Sequence, residues 1–203
     1  LQPLLARIDA LKDRRELPAV LAELQLAAGN ERLFFGFSAG QDFADATRQI
    51  AFAYAGGLGL PDRDYYLKRD AKTLQIRNAY EAHVARTFEL LGDAPAAAKA
   101  AARSVLATET VLARASLSKV DKRDPYKTFH VVDARGLQAL IPGFDWAAYQ
   151  TALGTASGQA RYNVTEPAFF KAVGARLQAQ PLAELKTYLR WQLASSLSPA
   201  LDN

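Results

Sequence analysis

Two carboxylate pairs in this chain could move protons: Asp62 with Asp64, and Asp121 with Asp124. Paired acids do general acid–base work when their environments drive their pKa values apart. Each pair here encloses an arginine, Arg63 in the first and Arg123 in the second. A guanidinium alongside holds carboxylates ionised and raises neither pKa, so loop scaffolding is the better reading of both. The two histidines, His83 and His130, stand 47 positions apart. His83 is followed by Val84, Ala85 and Arg86, so the H-E-x-x-H zinc helix is missing, and without cysteine no thiolate site can form. A serine nucleophile needs a base and an orienting third group, yet Ser104, Ser116 and Ser118 fall in or at the end of a helical stretch with no G-x-S-x-G around them. Gly57 and Gly59 lack the third glycine and the following helix start of a dinucleotide loop. Asn163-Val164-Thr165 fits the glycosylation triplet, which short sequences often contain by chance. No catalytic residue and no metal ligand is assigned.

Glu109 is the remaining group with chemical interest. It lies four residues after Val105 and three before Leu112, on the face of a helix expected to be buried. A carboxylate there needs a partner, because an unpaired buried charge costs several kcal/mol. The expected partner is an arginine reaching in from a loop, Arg63 or Arg123; the alternative is a slightly rotated helix that leaves Glu109 solvated.

The elements that must position these groups are mostly helical. Leu4, Leu5, Ile8 and Leu11 have helical spacing, and Pro18 opens a second helix with Leu17, Leu21 and Leu24 inward, ended by Gly29-Asn30. From Leu33 to Tyr54 the period shortens to two around the turn-like stretch 40–46, which predicts a β-hairpin at about 33–54 that must dock on helices. Gly57-Leu58-Gly59-Leu60-Pro61-Asp62-Arg63-Asp64-Tyr65-Tyr66-Leu67 reads as a turn. A long helix follows over about 71–91, with Ile76, Tyr80, Val84, Phe88 and Leu91 as its stripe and Gly92 as its stop. Asp93 is expected to cap the next helix, which carries Pro95 in its first turn and runs to about Ser118. Pro125 keeps Asp124 out of a helix. Asp133 and Asp145 should cap two short helices, 161–164 reads as extended, and Pro167 and Pro181 begin the last two helices. The sequence predicts a mainly α, multi-helix single domain over 1–203 with one small β-hairpin.

Composition excludes several classes. The 25 basic and 21 acidic residues are interspersed, giving a net charge of +4 without the basic stripe of a nucleic-acid binder. No apolar run approaches the ~20 residues of a membrane span. The chain has no methionine and begins with Leu1, and the apolar pattern Leu193, Leu197, Leu201 runs to its end. It reads as a fragment of a longer protein.

The glycine-rich turn resembles the LGLP-x-RDYY segment of the neprilysin-like zinc metallopeptidases, the neprilysin and endothelin-converting enzyme type. The residues carrying it are Gly57, Gly59, Leu60, Pro61, Arg63, Asp64, Tyr65 and Tyr66. Further stretches in the same order resemble that family: Ile76 to Tyr80, Leu106 to Ala113 around Glu109, Arg123-Asp124-Pro125, Pro142 to Trp146, and Tyr188 to Trp191. Tyr126 to His130 departs from the family's tyrosine–asparagine pair. The resemblance implies a structural role for these signature residues. It also implies that the zinc, the catalytic residues and the substrate-backbone motif belong to a later, catalytic region absent from this chain. Under it, this segment is the non-catalytic helical domain of a zinc metalloendopeptidase, inactive alone. It would face its own C-terminal catalytic domain and wall a cavity that limits access to oligopeptide substrates. The resemblance further implies an exported parent, in a periplasm or cell envelope, and the alanine-rich, cysteine-free composition suggests a bacterial source. Two other classes remain open: a stand-alone helical peptide- or protein-binding module, and an unrelated small hydrolase using Asp62, Asp64 or His130.

Overall fold

Apolar spacing at the start of the chain builds two helices, α1 (Gln2–Asp9) and α2 (Leu17–Ala28). The structure, a computed structural model, describes residues 1–29, 33–155 and 161–198. Asn30 and Leu201, named in two of the sequence expectations, lie outside the described residues. Pro3 and Pro18 fall in the first turns of α1 and α2, where the missing N–H costs nothing. Leu5, Ile8, Leu17, Val20, Leu21 and Leu24 are buried in the larger of two apolar clusters.

The period-two stretch forms β1 (Phe35–Gln41) and β2 (Gln49–Ala55), paired antiparallel with Phe37 opposite Ala53. Asp42 in the connecting turn is buried, accepts from the Ala44 N–H at 2.9 Å and pairs with Arg161 at 3.1 Å. The hairpin does not stand alone. Two shorter strands, β3 (Val131–Val132) and β4 (Tyr162–Val164), extend it to a four-stranded sheet in the order β1-β2-β4-β3, with β4 parallel to β2 and antiparallel to β3. Strands of two and three residues show no periodicity, so 161–164 alone was legible as extended. Asn163 holds the join: its side-chain oxygen accepts from the His130 N–H at 2.7 Å and its amide donates to the Thr128 carbonyl at 3.1 Å. Such bonds satisfy backbone groups that a short sheet edge would otherwise strand.

Next along the chain are α3 (Asp64–Leu67), α4 (Ala71–Leu90) and α5 (Pro95–Ala115). Helices α4 and α5 form an antiparallel pair whose turn needs Gly92 at φ +97°. Tyr80, Val84 and Phe88 of α4 meet Ala98, Ala102 and Val105 of α5 in the second apolar cluster. Asp93 does not cap α5, contrary to expectation. Its two oxygens take the Arg190 guanidinium at 3.1 and 3.2 Å, and Ala94 is the N-cap without a side-chain bond. A bidentate charge-assisted pair outweighs a single cap bond.

The remaining helices are α6 (Pro125–Thr128), α7 (Ala134–Leu140), α8 (Trp146–Ala152), α9 (Pro167–Ala179) and α10 (Leu182–Leu197). Asp133 and Asp145 cap α7 and α8 through the Gly136 and Ala148 N–H groups. Trp146 is buried in the aromatic core under the hairpin, with ring centroids 5.4 Å from Phe35 and 4.9 Å from Phe144. On α10, Leu185, Leu189 and Leu193 enter the larger cluster while Trp191 enters the second. The last helix thus ties both clusters together. The fold is mainly α with a small β part.

Candidate functional site

The turn from Gly57 to Leu67 is positioned from three sides. Asp62 starts α3 by accepting the Asp64 N–H at 2.8 Å, and Arg63 donates to the Ser116 carbonyl at the end of α5 at 2.7 Å. Arg77 of α4 donates to the Tyr65 carbonyl at 3.0 Å. Gly57, at φ +74°, presents its carbonyl to the Tyr188 hydroxyl at 2.8 Å and the Gln192 amide at 3.2 Å, both from α10. Leu60 packs on the α4–α5 cluster, and Pro61 is exposed. Tyr66 is buried; its hydroxyl accepts from the Leu60 N–H and donates to Glu109, both at 2.8 Å.

Glu109 is the centre of this arrangement and has no exposed surface. The Tyr80 hydroxyl donates to it at 2.8 Å, the Trp191 indole at 3.2 Å and the Gln192 amide at 2.9 Å, and the Gly59 N–H adds a backbone bond. The expected arginine is therefore absent. Arg63 is spent on Ser116, and Arg123 is exposed at the end of the single-turn helix Asp121–Arg123. A second buried charge would carry its own desolvation cost, whereas neutral hydroxyl, indole and amide donors satisfy the oxygens without one. Burial pushes the Glu109 carboxyl up to about 7, and the donors from Tyr66, Tyr80, Trp191 and Gly59 offset only part of that rise. Burial, together with the Glu109 charge, raises the Tyr66 and Tyr80 hydroxyls well above the usual tyrosine value.

The carboxylate pairs do not form acid–base dyads. Asp62 pairs with Lys119 at 2.8 Å and Asp64 with Lys68 at 2.9 Å. Asp121 takes the Ser118 hydroxyl at 2.6 Å and the Lys127 ammonium, while Asp124 caps α6 through the Tyr126 N–H, with Pro125 in the first turn. Burial works against ionisation of Asp62, but Lys119 and the Asp64 N–H outweigh it; Lys127 first and then Ser118 hold Asp121 low. At Asp62 and Asp121, lysines outside the pairs, not the arginines within them, favour the ionised form.

Zinc does not fit the donors among the described residues. The His83 ring lies edge-on to Trp191 at 5.7 Å, and His130 sits in the segment bonded to Asn163. Among the described residues no group of three or more His, Cys, Asp or Glu side chains could hold a metal ion. The Ser116 and Ser118 hydroxyls are engaged by the Leu112 carbonyl and by Asp121. Asn163 of the glycosylation triplet is buried with both ends of its amide bonded.

Sequence reasoning missed Tyr80, Tyr188 and Gln192 as polar partners and assigned Trp191 no bond. The available signal was a polar tip on a buried aromatic, which usually finds a partner.

Comparison with known proteins adds what the geometry lacks. The family described as Peptidase family M13, in its N-terminal part, matches residues 1–203. Endothelin-converting enzyme 1 of Cavia porcellus is 28% identical over 176 residues, covering 83% of this chain and 23% of the relative. Neprilysin-3 of Drosophila melanogaster is 26% identical over 183 residues, covering 85% of this chain and 23% of the relative. Among solved structures, the open state of the Mycobacterium tuberculosis zinc metalloprotease Zmp1 superposes with a TM-score of 0.90 at 30% identity, over 98% of this chain and 31% of that one. The chain spans about a quarter to a third of the length of these relatives. Among the described residues, no helix is long and apolar enough to cross a membrane.

Proposed function

Because the chain belongs to peptidase family M13, we propose that it is the non-catalytic helical domain of a neprilysin-like zinc metalloendopeptidase. In this reading, residues 1–203 form one domain that walls the substrate cavity and limits which peptides enter. Zinc and the hydrolytic groups are supplied by a catalytic domain elsewhere in an exported parent, against which this domain docks. The observation that carries the reading is the signature turn itself. Gly57, Arg63, Tyr66 and the Tyr65 carbonyl bond to α4, α5 and α10 around Glu109, which supports a structural role for the turn. A wall that excludes water and bulky substrates needs rigidity more than reactive side chains.

The test is zinc content and cleavage of a length-graded set of fluorogenic peptides, first on the 203-residue chain and then on its mixture with the parent's zinc-bearing region. The chain alone should hold no stoichiometric zinc and cleave nothing, while the mixture should favour short peptides over long ones. Zinc-dependent cleavage by the chain alone, lost on His83→Ala or His130→Ala, would overturn the reading.

A further inference from the structure

Helix α5 carries Arg103 and Arg114 on one face, eleven residues and three turns apart, so their Cα atoms stand roughly 16 Å from each other along the axis. Arg69 after α3, Arg77 of α4 and Arg176 of α9 join them in lining a groove of about 670 Å³. Glu81 is the one acidic residue lining it among the described residues. Leu67, Leu106 and Val111 line it between the charged residues.

The five guanidinium groups are unequally occupied. Arg77 donates to the carbonyls of Tyr65 and Lys68, and Arg176 donates to the Thr108 hydroxyl at 3.0 Å with Glu184 at 3.8 Å. Arg69, Arg103 and Arg114 are exposed and have no ion-pair partner among the described residues. Nine ion pairs join other charges among the described residues, and the cations left unpaired elsewhere do not share a groove with four further arginines. The groove thus gathers three guanidinium groups that no ion pair neutralises among the described residues.

We propose that this groove binds an acidic peptide segment in extended conformation, with carboxylates toward its two ends and apolar residues between. Guanidinium forks match carboxylates in bidentate geometry. The roughly 16 Å between Arg103 and Arg114 is the reach of about five extended residues, too long for one small anion to bridge. Leu67, Leu106 and Val111 in the lining give apolar side chains a contact that phosphate cannot use, and a concave site does not suit a flat bilayer. Binding here is read without turnover, so the proposal does not depend on the peptidase reading.

The test is fluorescence anisotropy of a labelled six-residue peptide with glutamate at both ends and leucine and alanine between, titrated with the 203-residue chain. Its glutamine counterpart and vesicles containing phosphatidylserine are run alongside. The acidic peptide should bind in a salt-sensitive way, and the glutamine peptide should lose roughly tenfold in affinity. Arg103→Glu and Arg114→Glu should each weaken the acidic peptide roughly five- to tenfold with an unchanged melting curve. The double variant should prefer a lysine-ended peptide. Equal binding of the glutamate and glutamine peptides, indifference to the double reversal, or binding of the vesicles without the peptide would overturn the proposal.

Discussion

Gly59 and the Tyr80 hydroxyl stand so close that a methyl carbon on Gly59 would lie 1.9 Å from that oxygen, far inside van der Waals contact. The tyrosine cannot retreat, because the same oxygen is bonded to both Glu109 and Trp191. Gly59→Ala should therefore destabilise the chain by about 2–4 kcal/mol, as overpacking at a fixed site does. Gly92 is the control: its φ is also positive, but nothing lies within 4 Å of an added Cβ. Gly92→Ala should cost only about 1–2 kcal/mol of backbone strain. Urea denaturation of both variants compares them, and equal losses would contradict a rigid Tyr80.

Removing the Glu109 side chain should be the costliest single change at the turn. Glu109→Ala strands the Tyr66, Tyr80, Trp191 and Gln192 donors in a dry cavity, a loss of about 3–5 kcal/mol. Glu109→Gln keeps the shape and one acceptor but aims an NH₂ group at donors, and should cost about 1–3 kcal/mol. The tyrosine hydroxyls can rotate to accept, which is why the glutamine variant should be the milder. Thermal melts that ranked the two in the opposite order would count against this account.

The raised Glu109 pKa has a defined sign in stability. With a folded-state value of about 7 against an ordinary value of 4.5, the folded chain keeps a proton that the unfolded chain has lost between those two pH values. Stability from this group is thus full below about pH 4.5 and falls as pH rises to about 7, by up to roughly 3 kcal/mol in all. Asp13, Asp45, Asp62, Asp70 and Asp121 are shifted the other way, so they withdraw stability on acidification below their ordinary range. The wild-type chain should be most stable in mildly acidic solution. Glu109→Gln should lack the decline between pH 4.5 and 7; a decline of the same size in both proteins would assign it to other groups.

Asn163 offers a test of structure against modification. Asn163→Ala breaks its bonds to the Thr128 and His130 backbone and should cost about 2 kcal/mol. Thr165→Ala destroys the same glycosylation triplet, but the Thr165 hydroxyl has no hydrogen-bond partner among the described residues. That substitution should be nearly neutral in the same denaturation assay. Equal effects of the two would point to the triplet and away from the strand join.

What the sequence showed, and what it hid, follows from the range of each interaction. The α4 stripe, the Asp133 and Asp145 caps and the hairpin strands are local patterns and lay in plain view. The Asp70 cap of α4 was local too and was overlooked, while Asp93 was misassigned because its partner Arg190 is 97 positions away. Strands β3 and β4 are too short to show a period, and β4 joins a strand more than a hundred residues earlier. The position of Glu109 on a buried face was legible from its neighbours. Its donors were not, since Tyr66 and Gln192 stand 43 and 83 positions away and no spacing rule links them.

The bond from the Gln192 amide to the Gly57 carbonyl spans 135 positions and sets a clock on biosynthesis. At a translation rate of about 5–20 residues per second, the turn waits roughly 7–27 seconds after its own synthesis before α10 exists to anchor it. In that interval Glu109 can meet Tyr66 and Tyr80, which precede it, but not Trp191 or Gln192. The α4–α5 hairpin can form early from near-neighbour contacts, the parallel strand join can form once β4 has been made, and only the turn's bonds to α10 wait until the end of this segment. A nascent chain halted before α10 would leave Glu109 with only part of its shell, an unfinished edge for chaperones to guard.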